Sequence, residues 1–205
     1  VVRRVSGGGT IYTDPGGWQF SFIVRTHGST SIDFRLYAEP IVRALCSLGA
    51  DAAFNDRNDI LIDGKKISGN AQYHCGGVVL HHGSLLFDTD LEELVRSLTV
   101  SDEKLVAKGI KSVRQRVANI RPHLREDMTP LQFKDAMLDA ILGEGDSRYT
   151  LTSDDIAKVR VHADRFRSWE WNYGREPRLS VVRGGRFAGG RVDVHLDVDK
   201  GRITG

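Results

Sequence analysis

Asp59-Ile60-Leu61-Ile62-Asp63-Gly64-Lys65-Lys66-Ile67-Ser68-Gly69 is the stretch that decides the fold. Asp59–Ile62 reads as a short strand, and an Asp-Gly pair directly after it marks a two-residue hairpin turn of the primed type. The returning strand carries Lys66 and Ser68, and a further strand is expected over Val78–Leu86. Working upstream, Ala50–Phe54 reads as another short strand, and Trp18–Val24 alternates large apolar with small or polar residues, as a half-buried strand does. Phe34, Tyr37, Ile41, Leu45 and Leu48 recur at helical spacing, which predicts a helix over 33–48 closed by Gly49; Pro40 should bend it or mark a late start. Downstream, Asp90–Leu98 predicts a short helix. Thr129-Pro130 opens another, with Phe133, Met137, Ala140 and Ile141 as its buried stripe. Ser153 is expected to cap a helix running through Ala163, with Asp154 and Asp155 against its N-terminal dipole. Strands interleaved with helices but joined by hairpins predict an α+β fold, a mixed, mostly antiparallel sheet flanked by helices. After Pro177 the pattern changes to bare hairpins, Leu179–Arg183 and then Val192–Val198 in strict alternation. The expected division is therefore 1–177 as the main domain and 178–205 as the beginning of a small C-terminal one.

At 205 residues, 40% hydrophobic and 27% charged, the chain has room for a real core. A net charge of +2 is too small to make nucleic acid or a membrane surface the main partner. No apolar run approaches the ~20 residues that cross a bilayer. Cys46 and Cys75 sit in no metal or redox spacing, so a reducing compartment, by default the cytoplasm, is expected. The chain opens without Met and stops at Arg202-Ile203-Thr204-Gly205, which reads as a fragment cut at both ends and lacking its N-terminal portion.

Two stretches carry chemistry. In Arg3-Arg4-Val5-Ser6-Gly7-Gly8-Gly9-Thr10-Ile11-Tyr12, a strand over Val1–Val5 is expected to run into three glycines. Such a triplet is either a flexible turn or a set of backbone N–H groups free to converge on an anion. Two preceding arginines offer forked donors for phosphate or carboxylate. In the second stretch, period-two geometry puts Lys66 and Ser68 on one face and Lys65 on the other, with Gly69 opening space for a close ligand. An ammonium held beside a glycine nest suits a reaction in which a carboxylate attacks a phosphate: it holds two mutually repelling anions together.

These residues bring a family into view. Arg3–Gly9, Lys66-Ile67-Ser68-Gly69-Asn70-Ala71, His81-His82-Gly83-Ser84-Leu85-Leu86, Ala107–Arg114 and Ser168–Gly174 resemble the ATP-dependent lipoate–protein ligases, as does the Arg186–Val198 hairpin. The resemblance runs over nearly the whole chain in family order. It implies the catalytic-domain fold of the biotin and lipoate ligases and a two-step reaction. Lipoate and ATP, with Mg²⁺, form lipoyl-adenylate and pyrophosphate; the acyl group then passes to a lysine of a carrier domain. Carriers are the lipoyl domains of 2-oxoacid dehydrogenase complexes and the glycine-cleavage H protein, and the enzyme is expected to act as a monomer. Carried over position by position, Lys66 is the central catalytic lysine, touching both lipoate and the α-phosphate. Arg4 meets ATP phosphate, Gly9, Thr10, Ile11 and Tyr12 line the nucleotide pocket, and Lys108 sits on the loop 108–113 that closes over the adenylate. The lipoate side falls to Arg3, Ser6, Gly7, Gly8 and His82.

For the remaining candidates alternatives stay open. His81 and His82 are adjacent on a strand, so only one faces the pocket and the two cannot form a metal site. Asp59 holds Mg²⁺, orients Lys66, or makes an ordinary ion pair. Trp169 and Trp171 read as packing, and Cys46 as a residue on the buried side of its helix. Octanoyltransferases of the same fold use a cysteine upstream of the lysine and no ATP; here the loop Phe54–Asp59 has none, and Cys75 lies downstream. A biotin ligase would show Gly-Arg-Gly-Arg in place of Arg-Arg-x-x-Gly-Gly-Gly. A module that binds lipoate or an adenylate without turnover is the alternative of a different class.

Overall fold

The computed structural model describes residues 2–26, 33–55, 57–97, 115–143 and 145–205. Contacts divide the chain into two compact units, residues 5–146 and residues 1–4 with 147–205. The expected boundary after Pro177 falls inside the second of these.

The larger unit is built on a five-stranded antiparallel sheet. Its strands are β1 (Gly17–Arg25), β2 (Ala52–Phe54), β3 (Asp59–Ile62), β4 (Lys65–Cys75) and β5 (Val78–Leu86), in the spatial order β1-β5-β4-β3-β2. Two tight turns set this order. Asp63 and Gly64 have φ of 49° and 72°, and Gly76 and Gly77 have 56° and 73°, the positive pairs that a primed hairpin turn requires. Helix α1 (Phe34–Ser47) starts where Asp33 accepts a hydrogen bond from Leu36 N and runs on through Pro40. Helix α2 (Leu91–Arg96) is capped by Asp90, and α3 (Pro130–Ile141) by a Thr129/Gln132 capping box with proline in its first turn.

The core lies on one face of the sheet. Ala38, Ile41, Ala44 and Leu45 of α1 and Phe133 and Met137 of α3 pack with Ile60, Ile62, Ile67 and Leu85. Phe87 stacks on Phe133 with ring centroids 4.3 Å apart, both fully buried. Cys46 does not join this stripe: it is exposed, because the apolar stripe turns through Ala44 and Leu45 and leaves position 46 to solvent.

The smaller unit holds α4 (Ser153–Arg167), α5 (Trp169–Asn172) and the sheet β6 (Leu179–Phe187), β7 (Gly190–Asp199) and β8 (Arg202–Ile203). The cap of α4 is Thr152 rather than Ser153: Thr152 and Asp155 form a reciprocal capping box one residue earlier than expected. Trp171 is buried against Phe166, edge to face, and donates its indole N–H to Arg3 O at 2.7 Å. The stretch expected to be a strand over Val1–Val5 has no ladder partner in its described part, 2–5, and is irregular; strand composition without a neighbouring strand does not make a strand. Among the described residues no helix is long and apolar enough to cross a membrane.

Candidate active site

Lys66 and Ser68 lie on opposite faces of the sheet, contrary to the period-two expectation. The turn pairs Ile62 with Lys65 and Leu61 with Lys66, but Ile60 pairs with Ser68 and Asp59 with Gly69. One extra residue, Ile67, is accommodated as a β-bulge. Ile67 and Ser68 are both fully buried, and Lys66 shares the outer face with Gly69 instead. The next strand shows the same alternation, with His81 opposite Gln72 and Phe22 on the core face and His82 opposite Ala71 and Ser21 on the outer face.

The bulge lays the lysine across its own strand. A Cβ placed on Gly69 would lie 2.7 Å from Lys66 Nζ, so the missing side chain is the space the ammonium occupies. From there Nζ approaches Asp59 Oδ1 to 2.7 Å. That oxygen receives no well-directed hydrogen bond, so the contact is a plain ion pair. With side chains 41% and 24% exposed, such a pair adds little stability; its consequence is orientation. The main chain is held as well: Ala118 N donates to Lys66 O at 3.0 Å, and Lys66 bridges Val117 in parallel sense.

On the same outer face His82 reaches the glycine loop, with Nε2 2.5 Å from Ser6 Oγ. Of the triplet only Gly8 requires glycine by backbone, at φ 96°; Gly7 and Gly9 have open space where a side chain would stand. Thr10 and Ile11 are exposed and Tyr12 half-buried. The Tyr12 hydroxyl is pushed above its usual pKa by desolvation and by Asp14, Asp90 and Glu93. Asp14 ties this segment down, accepting from Gly16 N at 3.0 Å and Asp90 N at 2.7 Å. The structure thus brings Lys66, Asp59, His82 and Ser6 onto one face of one unit. Arg3 and Arg4 belong to the other unit, where Arg3 donates to Asn172 O and to Glu176 Oε1 at 2.8 Å. Lys108 and the 108–113 loop lie outside the described residues.

Beneath the site runs a buried polar network that the sequence reading missed. Gln72 Nε2 lies 3.0 Å from His81 Nδ1 and also donates to Asp33 O, leaving His81 Nε2–H to donate to Asn70 Oδ1 at 3.3 Å. Phe20, Phe22, Phe34 and Tyr37 surround the imidazole, the Tyr37 ring stacking at 5.1 Å. Burial, with a smaller contribution from His82, lowers the His81 pKa to about 4. The native state therefore takes up this proton later than the unfolded chain. The stability that neutral His81 contributes is complete above pH 6.5 and is lost as pH falls toward 4. Urea unfolding at pH 7.5 and pH 5 is expected to differ by about 2 kcal/mol from this group, a difference that His81→Gln removes.

Residues 1–142 match the family model of the lipoyl protein ligase A/B catalytic domain. The chain belongs to that family. Lipoate-protein ligase LplJ of Bacillus subtilis is 41% identical over 208 residues, which cover 99% of this chain and 63% of the relative. The chain thus spans under two thirds of that relative's length. Among solved structures, a bi-partite lipoate protein ligase of Thermoplasma acidophilum, described with its E2 lipoyl domain, superposes with TM-score 0.71 at 32% identity, covering 87% of this chain and 72% of that one. A lipoate-protein ligase A bound with ATP superposes with TM-score 0.65 at 29% identity over 83% of this chain and 70% of that one. The α+β fold with its mostly antiparallel sheet is the fold of these lipoate ligase relatives.

Proposed function

We propose that this chain carries the adenylating centre of a lipoate–protein ligase. In the first step a lipoate carboxylate oxygen attacks the α-phosphorus of ATP, the new C–O–P anhydride forms and pyrophosphate leaves. In the second, the ε-amine of a carrier lysine attacks the acyl carbon, the amide forms, a proton is released and AMP leaves. The observation that carries this reading is the Lys66 ammonium, laid over Gly69 beside Asp59 on the face where His82 meets the glycine loop. A cation so placed offsets the charge that builds between carboxylate and phosphate. The ATP-bound relative and the relative described with an E2 lipoyl domain support ATP as co-substrate and a lipoyl domain as acceptor. On this reading Arg4, Gly9, Thr10, Ile11, Tyr12 and Lys108 serve the nucleotide and Ser6, Gly7, Gly8, His82 and Arg3 serve lipoate, in a cytoplasmic monomer. The carrier is the acyltransferase subunit of a 2-oxoacid dehydrogenase or the glycine-cleavage H protein.

Asp59 does not suit Mg²⁺, because an ammonium 2.7 Å from its Oδ1 repels a dication. Among the described residues no cluster of three or more His, Cys, Asp or Glu could hold a metal. On this reading Mg²⁺ belongs with the ATP phosphates.

The transferase alternative requires a cysteine at the lysine. Cys75 is exposed at the far end of β4, six residues beyond Gly69, and at ~3.3 Å per residue that is about 20 Å away. The test is ATP–pyrophosphate exchange that requires lipoate. Exchange should be present and should survive Cys75→Ala within about 2-fold, since an exposed cysteine far from the ammonium contributes nothing to the barrier. Acyl transfer without ATP that vanishes in Cys75→Ala would reverse the assignment. A binding-only module would retain lipoate and show neither activity.

A further inference from the structure

We propose that Asn58 and Asn70 form a clamp that holds the bulged register of β3 and β4, and so act as positioning residues for Lys66. The inference rests on the reading above that Lys66 carries the chemistry.

The two-residue turn alone would continue the hairpin without interruption, pairing Ile60 with Ile67, Asp59 with Ser68 and Asn58 with Gly69. Ser68 would then stand beneath Lys66, Gly69 would face the core, and Asn70 would point outward. The observed register shifts β4 by one residue after Ile67. Gly69 comes under the ammonium and Ser68 goes inside only because of that shift.

What distinguishes the two registers is the pair just beyond Asp59 and Gly69. Asn70 N donates to Asn58 O at 2.9 Å, Asn58 Nδ2 donates to Asn70 O at 2.9 Å, and Asn70 Nδ2 donates back to Asn58 O at 3.0 Å. The carboxamide of Asn70, in a residue only 5% exposed, is completed by His81 Nε2 at Oδ1. Room for it comes from Gly83, its partner on β5, where a side chain would collide with both Asn70 Oδ1 and the Phe20 ring. In the uninterrupted register Asn58 would face Gly69, whose main chain can still serve it but which has no carboxamide to donate back, and Asn70, pointing outward, would no longer meet His81 Nε2. His81 Nε2, fully buried and partnered by Asn70 Oδ1 in one register and left unmet in the other, penalises the slip. The clamp's hydrogen bonds go to neither Lys66 Nζ nor the Asp59 carboxylate, and it acts by choosing which residue lies under the lysine.

The test is a double-mutant cycle in the complete protein, read by lipoate-dependent ATP–pyrophosphate exchange. Asn58→Ala should lower kcat by about 10-fold or more with KM for ATP changed less, as displacement of a catalytic group by about 1 Å does. In a Gly69→Ala background, where the ammonium is already displaced, the same substitution should cost under about 3-fold. A residue important only for stability would give equal losses in both backgrounds, and that result overturns the clamp. Where Asn58→Ala does not fold, Asn58→Asp keeps the volume and replaces the donor to Asn70 O with a charged oxygen that repels it, with the same pattern expected. A wild type lacking lipoate-dependent exchange overturns the functional reading and the positioning role together; wild-type exchange with Asn58→Ala unimpaired overturns the clamp alone.

Discussion

Lys66→Ala is expected to lower lipoate-dependent ATP–pyrophosphate exchange by about 10²–10³-fold, the range seen when one preorganised donor to a developing charge is removed. The fold should hardly register the change. The Lys66 side chain is 41% exposed and that of Asp59 24%, and removing the lysine uncovers Asp59 Oδ1 to water, so the ion pair contributes at most about 1 kcal/mol. Its backbone bonds to Ala118 and Val117 do not depend on the side chain. Lys66→Arg should not restore activity, because a planar fork is wider than the ammonium that now fills the space over Gly69. Exchange rates for the three proteins, set beside their thermal unfolding, decide the matter. Retention of more than about a tenth of wild-type exchange by Lys66→Ala would remove the lysine from the chemistry, since the loss would then lie below that of a single stabilising donor.

Gly69→Ala should produce nearly the same kinetic defect by a different route. The backbone at Gly69 is not in the left-handed region, so alanine is conformationally acceptable. Its methyl would lie 2.7 Å from Nζ and 2.8 Å from Cε of Lys66. Both atoms are at the free end of a flexible chain, so the lysine moves aside and stability changes by about 0.5 kcal/mol or less, as at other surface positions. The ammonium, however, leaves its place beside Asp59, and exchange is expected to fall by about 10²-fold, the cost of a misplaced catalytic group. Unfolding curves and exchange kinetics on one preparation test this. A variant that lost stability and activity in proportion would mean that Gly69 serves packing.

Much of this was legible along the chain, and what was legible is local. Asp63-Gly64 announced its turn because positive φ at two successive residues is a property of those residues themselves. Thr129-Pro130 announced a helix for the same kind of reason, although the capping threonine before α4 is one residue earlier than the serine that composition favoured. His81 and His82 had to point to opposite faces, and they do. The expected strand over Val1–Val5 failed because a strand is defined by its neighbour, which composition does not supply.

The sequence by itself determined the Asp63-Gly64 turn, the Thr129-Pro130 helix start and the apolar stripes of the helices, and hence a mostly antiparallel sheet with helices on its core face. Only the tertiary structure decided which residue lies beneath Lys66. A bulge costs nothing in local propensity and leaves no periodic trace, since its stabilisation comes from partners far along the chain: Asn58 against Asn70, His81 on Asn70 Oδ1, and the vacancy at Gly83 that admits the carboxamide. Side-chain alternation is a rule about one strand, whereas register is a free-energy difference between two ways of pairing strands, and that difference exists only once the core has closed around them.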